Sequence, residues 1–369
     1  MSYHEEEKKR NTLRLRELLV DMPSYCRDYF RGIEPTTAER TRLGYARDLR
    51  VFFNFMLETR PELNGKQMKD ISLQDLSAMG PRDLEEFLDY VSYYVGAQTH
   101  GELSNGEKGK ARKIAAVRSL YKYLYRREMI PANPAELVTT PKIHEKAIVK
   151  LDVDEIARFL DEVESGDKLT KQQQAFHKAN KTRDVALMTL LLGTGIRVSE
   201  CVGLDIRDVD FNNNGIRIVR KGGNESVVYF GDEVRQALIN YLKDREKIIP
   251  VSGHEDALFL SMQKKRLTVR SVENLVKKYS ESVINLKHIS PHKLRSSYGT
   301  ALYRESGDIY LVADVLGHKD VNTTRRHYAQ MEDDRRRKAA SFIRLREEDP
   351  ASEPGPDSPN KDQKNSESN

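Results

Sequence analysis

Asp184-Val-Ala-Leu-Met-Thr-Leu-Leu-Leu192 runs directly into Gly193-Thr-Gly-Ile-Arg-Val-Ser-Glu200. The first segment predicts a strongly apolar helix, and the second sets Arg197 and Glu200 just beyond its end. Downstream, Gly215-Ile-Arg-Ile-Val-Arg-Lys221 and Ser226-Val-Val-Tyr-Phe230 alternate as strands. Gly222-Gly223-Asn224 between them makes a hairpin with Lys221 at its tip. Upstream, the Asp cap of Leu151-Asp-Val-Asp-Glu155, followed by Ile156, Phe159 and Leu160, starts another helix. Residues 232–346 read as mainly helical, with no fixed-period repeat. This half of the chain is therefore an α+β, helix-dominated domain.

The first half is helical throughout. After Pro35-Thr36-Thr37, a Thr cap precedes Leu49, Phe52, Phe53 and Met56 at i, i+3, i+4 and i+7. Leu84, Phe87, Leu88 and Val91 form a second stripe behind Gly80-Pro81, and Ile114, Val117, Tyr121 and Leu124 a third. Residues 96–109, rich in Gly, Asn, Ser and charge, read as a loop. The run from Pro131-Ala-Asn-Pro134 through Thr139-Thr-Pro-Lys142 to Lys150 has no stripe and suits an extended linker. Asn11 to Met22 suits a short accessory helix. From Glu347 the chain is rich in Pro, Ser, Asp and Asn without large apolar residues, which predicts disorder.

Length and charge bound the function. At 369 residues the chain is long enough for two domains plus appendages. No window approaches about 18 apolar residues, and Met1-Ser-Tyr-His-Glu-Glu-Glu7 has no apolar leader core, so the expected location is cytoplasmic, without a membrane span. Cys26 and Cys201 stand apart with no CxxC, so neither a disulfide framework nor a thiolate zinc site is expected. The formal charge is +5, yet residues 347–369 carry seven acids and two lysines, a net −5, which leaves +10 on residues 1–346. That excess favours a polyanionic partner.

Certain polar residues stand out from this background. Besides Arg197, there is Ser290-Pro-His-Lys-Leu-Arg295, with His292 and Arg295, and Leu316-Gly-His318 followed by Thr323-Thr-Arg-Arg-His-Tyr328. Two arginines and a histidine can clasp a phosphate, and a tyrosine can be a covalent nucleophile. Neither alternative site survives: Pro291 breaks a helical His288/His292 zinc pair, and Gly193-Thr-Gly195 lacks the Gly-Lys-Ser/Thr ending of a Walker loop.

In the order Arg197, hairpin Lys221, His292-x-x-Arg295, Gly317-His318 and Tyr328, the sequence resembles the tyrosine recombinases of the phage-integrase and Xer family over residues 36–346. Tyr328 lies one residue farther from the Gly-His motif than in many Xer-like members, and is the only tyrosine in that stretch. The resemblance implies a mainly α chain with a small β-hairpin or sheet. Residues 1–35 would be a helical extension, 36–138 a SAM-like core-binding domain, 139–150 a linker, 151–346 the catalytic domain and 347–369 the acidic tail.

It also implies roles. Tyr328 attacks phosphorus, Arg197 and Arg295 clamp the phosphate, and Lys221 protonates the leaving oxygen. His292 accepts the tyrosine proton, His318 bonds a non-bridging oxygen, and Glu200 supports the arginine side. No metal, ATP or other cofactor is implied. Phosphate contacts away from the chemistry are expected from Arg40, Arg42, Arg47, Lys110, Arg112, Lys113 and Lys293. The basic run Arg335-Arg-Arg-Lys338 suits a solvated face, and residues 331–346 would dock into a neighbouring subunit. The expected partners are a double-stranded recombination site and three further subunits, identical or paralogous. The activity would be site-specific recombination through a Holliday junction, serving chromosome dimer resolution. A mobile-element integrase, a type IB topoisomerase and a catalytically silent DNA-binding regulator are the competing readings.

Overall fold

The computed structural model describes residues 3–95, 101–143, 150–220, 222–283, 287–318 and 320–321. The chain divides into two compact units, residues 1–298 and 299–369. The first unit contains two hydrophobic cores, one drawn from Leu15 to Val138 and the other from Leu151 to Leu294.

The amino-terminal core is built by α1 (Tyr3–Leu18), α2 (Tyr25–Gly32), α3 (Glu39–Thr59), α4 (Leu73–Ser77) and α5 (Pro81–Tyr90). A short antiparallel ladder, β1 (Tyr93–Val95) and β2 (Glu102–Ser104), leads into α6 (Glu107–Arg126). The three expected stripes supply the interior: Leu49, Phe52, Phe53, Met56, Leu84, Phe87, Ile114, Val117, Tyr121 and Leu124 are fully buried. Phe52 meets Phe87 edge-on at 5.2 Å, and the buried Tyr121 hydroxyl donates to the Leu76 carbonyl at 2.9 Å, so the one polar atom of that ring is satisfied.

Three details differ from expectation. The cap of α3 is Ala38, with no side-chain hydrogen bond, because Thr36 lies in a preceding 3-10 turn. Part of the expected loop 96–109 is ordered as β2 and the start of α6, pinned where the Asn105 amide donates to the Val91 carbonyl at 2.9 Å. The accessory helix starts at Tyr3 and ends at Leu18, and Leu15, Leu19, Met22, Cys26, Tyr29 and Phe30 share the core of α3 and α6.

The second core is wrapped by α7 (Val153–Ser165), α8 (Lys171–Thr194), α9 (Val198–Gly203), the three-stranded sheet β3 (Val209–Asp210), β4 (Gly215–Val219) and β5 (Glu225–Tyr229), then α10 (Asp232–Arg245) and α11 (Val269–Val283). The expected Asp cap forms: Asp152 accepts from the Glu155 amide at 2.8 Å while Glu155 accepts from the Asp152 amide at 2.9 Å. Helix α8 carries the apolar run. At its middle the buried Asp184 accepts from Arg183 at 2.7 Å and from the Tyr279 hydroxyl at 2.6 Å, tying α8 to α11. Helix α12 (Pro291–Ser306) begins at Pro291, the residue that separates His288 from the helical His292. In the second unit, α13 (Ile309–Leu316) is capped by Asp308 and ends at Gly317, whose φ of 61° is left-handed. That glycine lets the His318 amide return to the Ala313 carbonyl at 2.9 Å.

Candidate active site

Helix α8 stops because Gly195 adopts a left-handed φ of 62° with its amide bonded to the Leu191 carbonyl. The chain then turns at once into α9, and Arg197 is the residue that caps it. Glu200, buried, receives the Arg197 backbone amide at 2.7 Å on one oxygen and the Arg197 guanidinium at 2.8 Å on the other. One carboxylate thus fixes both ends of Arg197, which keeps a third of its side chain exposed. A guanidinium held on one edge by a desolvated carboxylate presents its remaining N–H groups in a defined direction.

Arg295 arrives from α12 and is buried, and its guanidinium donates to the Gly195 carbonyl at 2.7 Å. The Tyr298 ring lies so close to Gly195 that an added Cβ would sit 2.3 Å from it. The two arginines are therefore referred to the same turn, residues 195–197, although 98 positions separate them in sequence. His292 is exposed on the first turn of α12. The hairpin is as expected: β4 and β5 pair with Val219 opposite Glu225, the Arg220 amide donates to the Asn224 carbonyl at 2.8 Å, and Gly222 and Gly223 take φ of 99° and 86°. Lys221 itself, Tyr328, and residues 331–346 and 347–369 lie outside the described residues. His318 belongs to the second unit.

The expected DNA contacts divide. Arg40, Arg47 and Arg112 are exposed and Lys110 half-buried, with Arg112 also paired to Asp48 at 2.9 Å. Arg42 and Lys113 are buried. Arg42 bonds Glu34 at 2.8 Å, while Lys113 donates to Asn105 at 3.0 Å and faces Asp48 at 3.8 Å. The signal was present in the spacing, since Arg42 precedes Ala46 and Leu49 by four and seven residues, and Lys113 precedes Val117 and Leu120 likewise. The Lys293 ammonium bonds the His288 carbonyl. Burial pushes the Cys26 and Cys201 thiols well above their ordinary range, which leaves them unreactive.

Sequence reading named Gly195 within the Arg197 segment but missed Tyr298, whose ring packs on that glycine, and Arg266. Arg266 donates to the Leu204 carbonyl at 2.7 Å just beyond α9. No local pattern marks Tyr298 or Arg266, because each acts through a partner distant in sequence. Among the described residues no helix is long and apolar enough to cross a membrane.

The sequence model of the phage integrase family matches residues 150–335. The chain is 31% identical to the tyrosine recombinase XerC of Caldanaerobacter subterraneus subsp. tengcongensis over 87% of this chain and 86% of the relative. It is 33% identical to XerC of Vibrio cholerae over 60% and 70%, respectively. Among solved structures, the Tn1549 transposon integrase with circular intermediate DNA aligns at TM-score 0.61 and 20% identity, covering 87% of this chain and all of that one. The XerH recombinase bound to its difH substrate aligns at 0.58 and 22%, covering 82% and 79%. Those two likenesses support the same two-part, mainly helical fold. With the family model and the XerC identity in agreement, the chain belongs to the phage integrase family as an Xer-like tyrosine recombinase.

Proposed function

We propose that this protein recombines DNA at defined sites, with Tyr328 as its nucleophile and Arg197 and Arg295 as its phosphate clamp. The carrying observation is the 195–197 turn, where Glu200 orients one guanidinium and the Gly195 carbonyl receives the other. Negative charge grows on the non-bridging oxygens as phosphorus becomes five-coordinate, and preorganised guanidinium donors stabilise that state more than the ground state.

In this reading the Tyr328 oxygen attacks phosphorus, its proton passing to His292. The bond from phosphorus to the 5′ oxygen breaks, and Lys221 delivers a proton to that oxygen. His318 bonds a non-bridging oxygen. The 3′-phosphotyrosyl ester conserves the energy of the bond it replaces, so attack by another strand's 5′-hydroxyl rejoins DNA without ATP. Four subunits on two sites would pass through a Holliday junction, identical or mixed with a paralogue, in the cytoplasm. Residues 36–138 would form the DNA-binding half of a clamp and 151–346 the catalytic half. Of the two services, chromosome dimer resolution is placed ahead of integration of a mobile element.

Covalent trapping tests this. Wild type and Tyr328→Phe are incubated with nicked suicide duplexes drawn from candidate genomic sites, then denatured. A protein–DNA adduct with wild type alone is expected. Binding without any adduct would favour the silent regulator, and an adduct surviving in Tyr328→Phe would displace the nucleophile assignment.

A further inference from the structure

Helix α1 reaches both cores of the first unit. Leu15 and Leu19, at and beyond its carboxyl end, are buried with α3 and α6. Tyr3, at the other end, packs on the second core, beneath the Arg266 guanidinium at 5.4 Å from the ring centroid. The seat of Tyr3 is the far end of α9: a Cβ on Gly203 would lie 3.0 Å from the Tyr3 ring and 3.2 Å from the His4 imidazole. Arg197 caps the near end of the same six-residue helix. A cavity of about 1150 Å³ opens here, and Tyr3, His4, Glu6 and Glu7 line it together with Arg197 and Arg220.

We propose that residues 3–10 are an intrasteric plug, seated in the DNA-free protein over the approach to Arg197 and displaced when a duplex enters. Tyr3 supplies an aromatic anchor with a cation over its face, worth a specific fit at one place. Glu6, and Glu7 in its ion pair with Arg10 of the same helix, share the cavity with Arg197, which a phosphate would meet, so DNA and the segment compete for one volume. Leu15 and Leu19 hold the carboxyl end of α1 in the other core, so the plug stays tethered after release and its rebinding is unimolecular. The inference rests on the reading of Arg197 as a phosphate ligand.

A segment seated nine-tenths of the time lowers apparent affinity about tenfold, so removing it should tighten binding by about that factor. The test compares full-length protein, Tyr3→Ala and a variant lacking residues 2–10 for binding to a labelled 40-base-pair duplex of arbitrary sequence, by fluorescence anisotropy at fixed salt. Both variants are expected to bind more tightly than full length. Equal or weaker binding by both variants overturns the plug while leaving the DNA reading intact, and no binding by any of the three overturns both. Hydrogen exchange on the unmodified protein gives a second readout that needs no variant. Amides of residues 7–10, the first in α1 with intrahelical acceptors, should lose protection when the duplex is added, and retained protection would refute displacement.

Discussion

Gly195 does two things no other residue can do at that position. Its φ of 62° ends α8, and its missing side chain admits the Tyr298 ring. Gly195→Ala should therefore destabilise by at least about 1–2 kcal/mol from backbone strain alone. Part of the remaining loss should be recovered in Gly195→Ala/Tyr298→Ala, a coupling that urea denaturation of the four-member cycle would read; strict additivity would refute the contact. Glu200 is a positioning residue by the same logic. Glu200→Gln keeps its shape and removes the charge that holds both the amide and the guanidinium of Arg197. Stability should fall by about 1–3 kcal/mol. Single-turnover adduct formation should slow with duplex affinity nearly unchanged, whereas a purely structural role would lower active fraction and leave the rate of the remainder intact.

At the scale of elements, α6 and the β4–β5 hairpin make the sharpest cases. The buried Lys113 of α6 has Asp48 of α3 as its counter-charge, and burial pulls the lysine pKa down and pushes that of Asp48 up. Asp48→Ala leaves a desolvated ammonium behind and should cost about 3–5 kcal/mol. Arg112→Ala, which removes the exposed partner of the same carboxylate, should cost under about 1 kcal/mol. Denaturant midpoints of the two variants check the order, and a reversal would mean that the pair is solvated. For the hairpin, Lys221→Ala should slow cleavage of an ordinary phosphodiester. A substrate with sulfur in place of the bridging 5′ oxygen should cleave at nearly the wild-type rate, because a thiolate leaves without a proton. A defect of equal size on both substrates would remove Lys221 from the acid role. The hairpin was legible because β alternation and a Gly-Gly tip are local signals. The burial of Arg42 and Lys113 was legible only in their spacing from Ala46, Leu49, Val117 and Leu120, since charge alone does not reveal which face a helix turns inward.

For the whole molecule, charge is the measurable handle. Residues 1–346 carry +10 and residues 347–369 carry −5. If six phosphates are neutralised, the slope of log affinity against log salt should be about −5. Removing residues 347–369 should raise affinity at low salt and lose that advantage as screening increases. An affinity independent of salt would contradict a phosphate-dominated interface.

The amino-acid sequence by itself determined the helical stripes and the β4–β5 hairpin, because each is written within a few turns of chain or at one recurring spacing. Only the tertiary structure decided that Gly195 receives Arg295, that Tyr298 fills the space of a missing Cβ, that Asp48 neutralises Lys113, and that Tyr3 reaches the end of α9. It also folded residues 15–30 into the same core as α3 and α6, where the charge-laden sequence suggested only an appendage. The physical reason is common to all of these. They are contacts between groups tens to hundreds of residues apart, made by packing and desolvation; a periodic pattern can mark which face is buried but not which partner meets it.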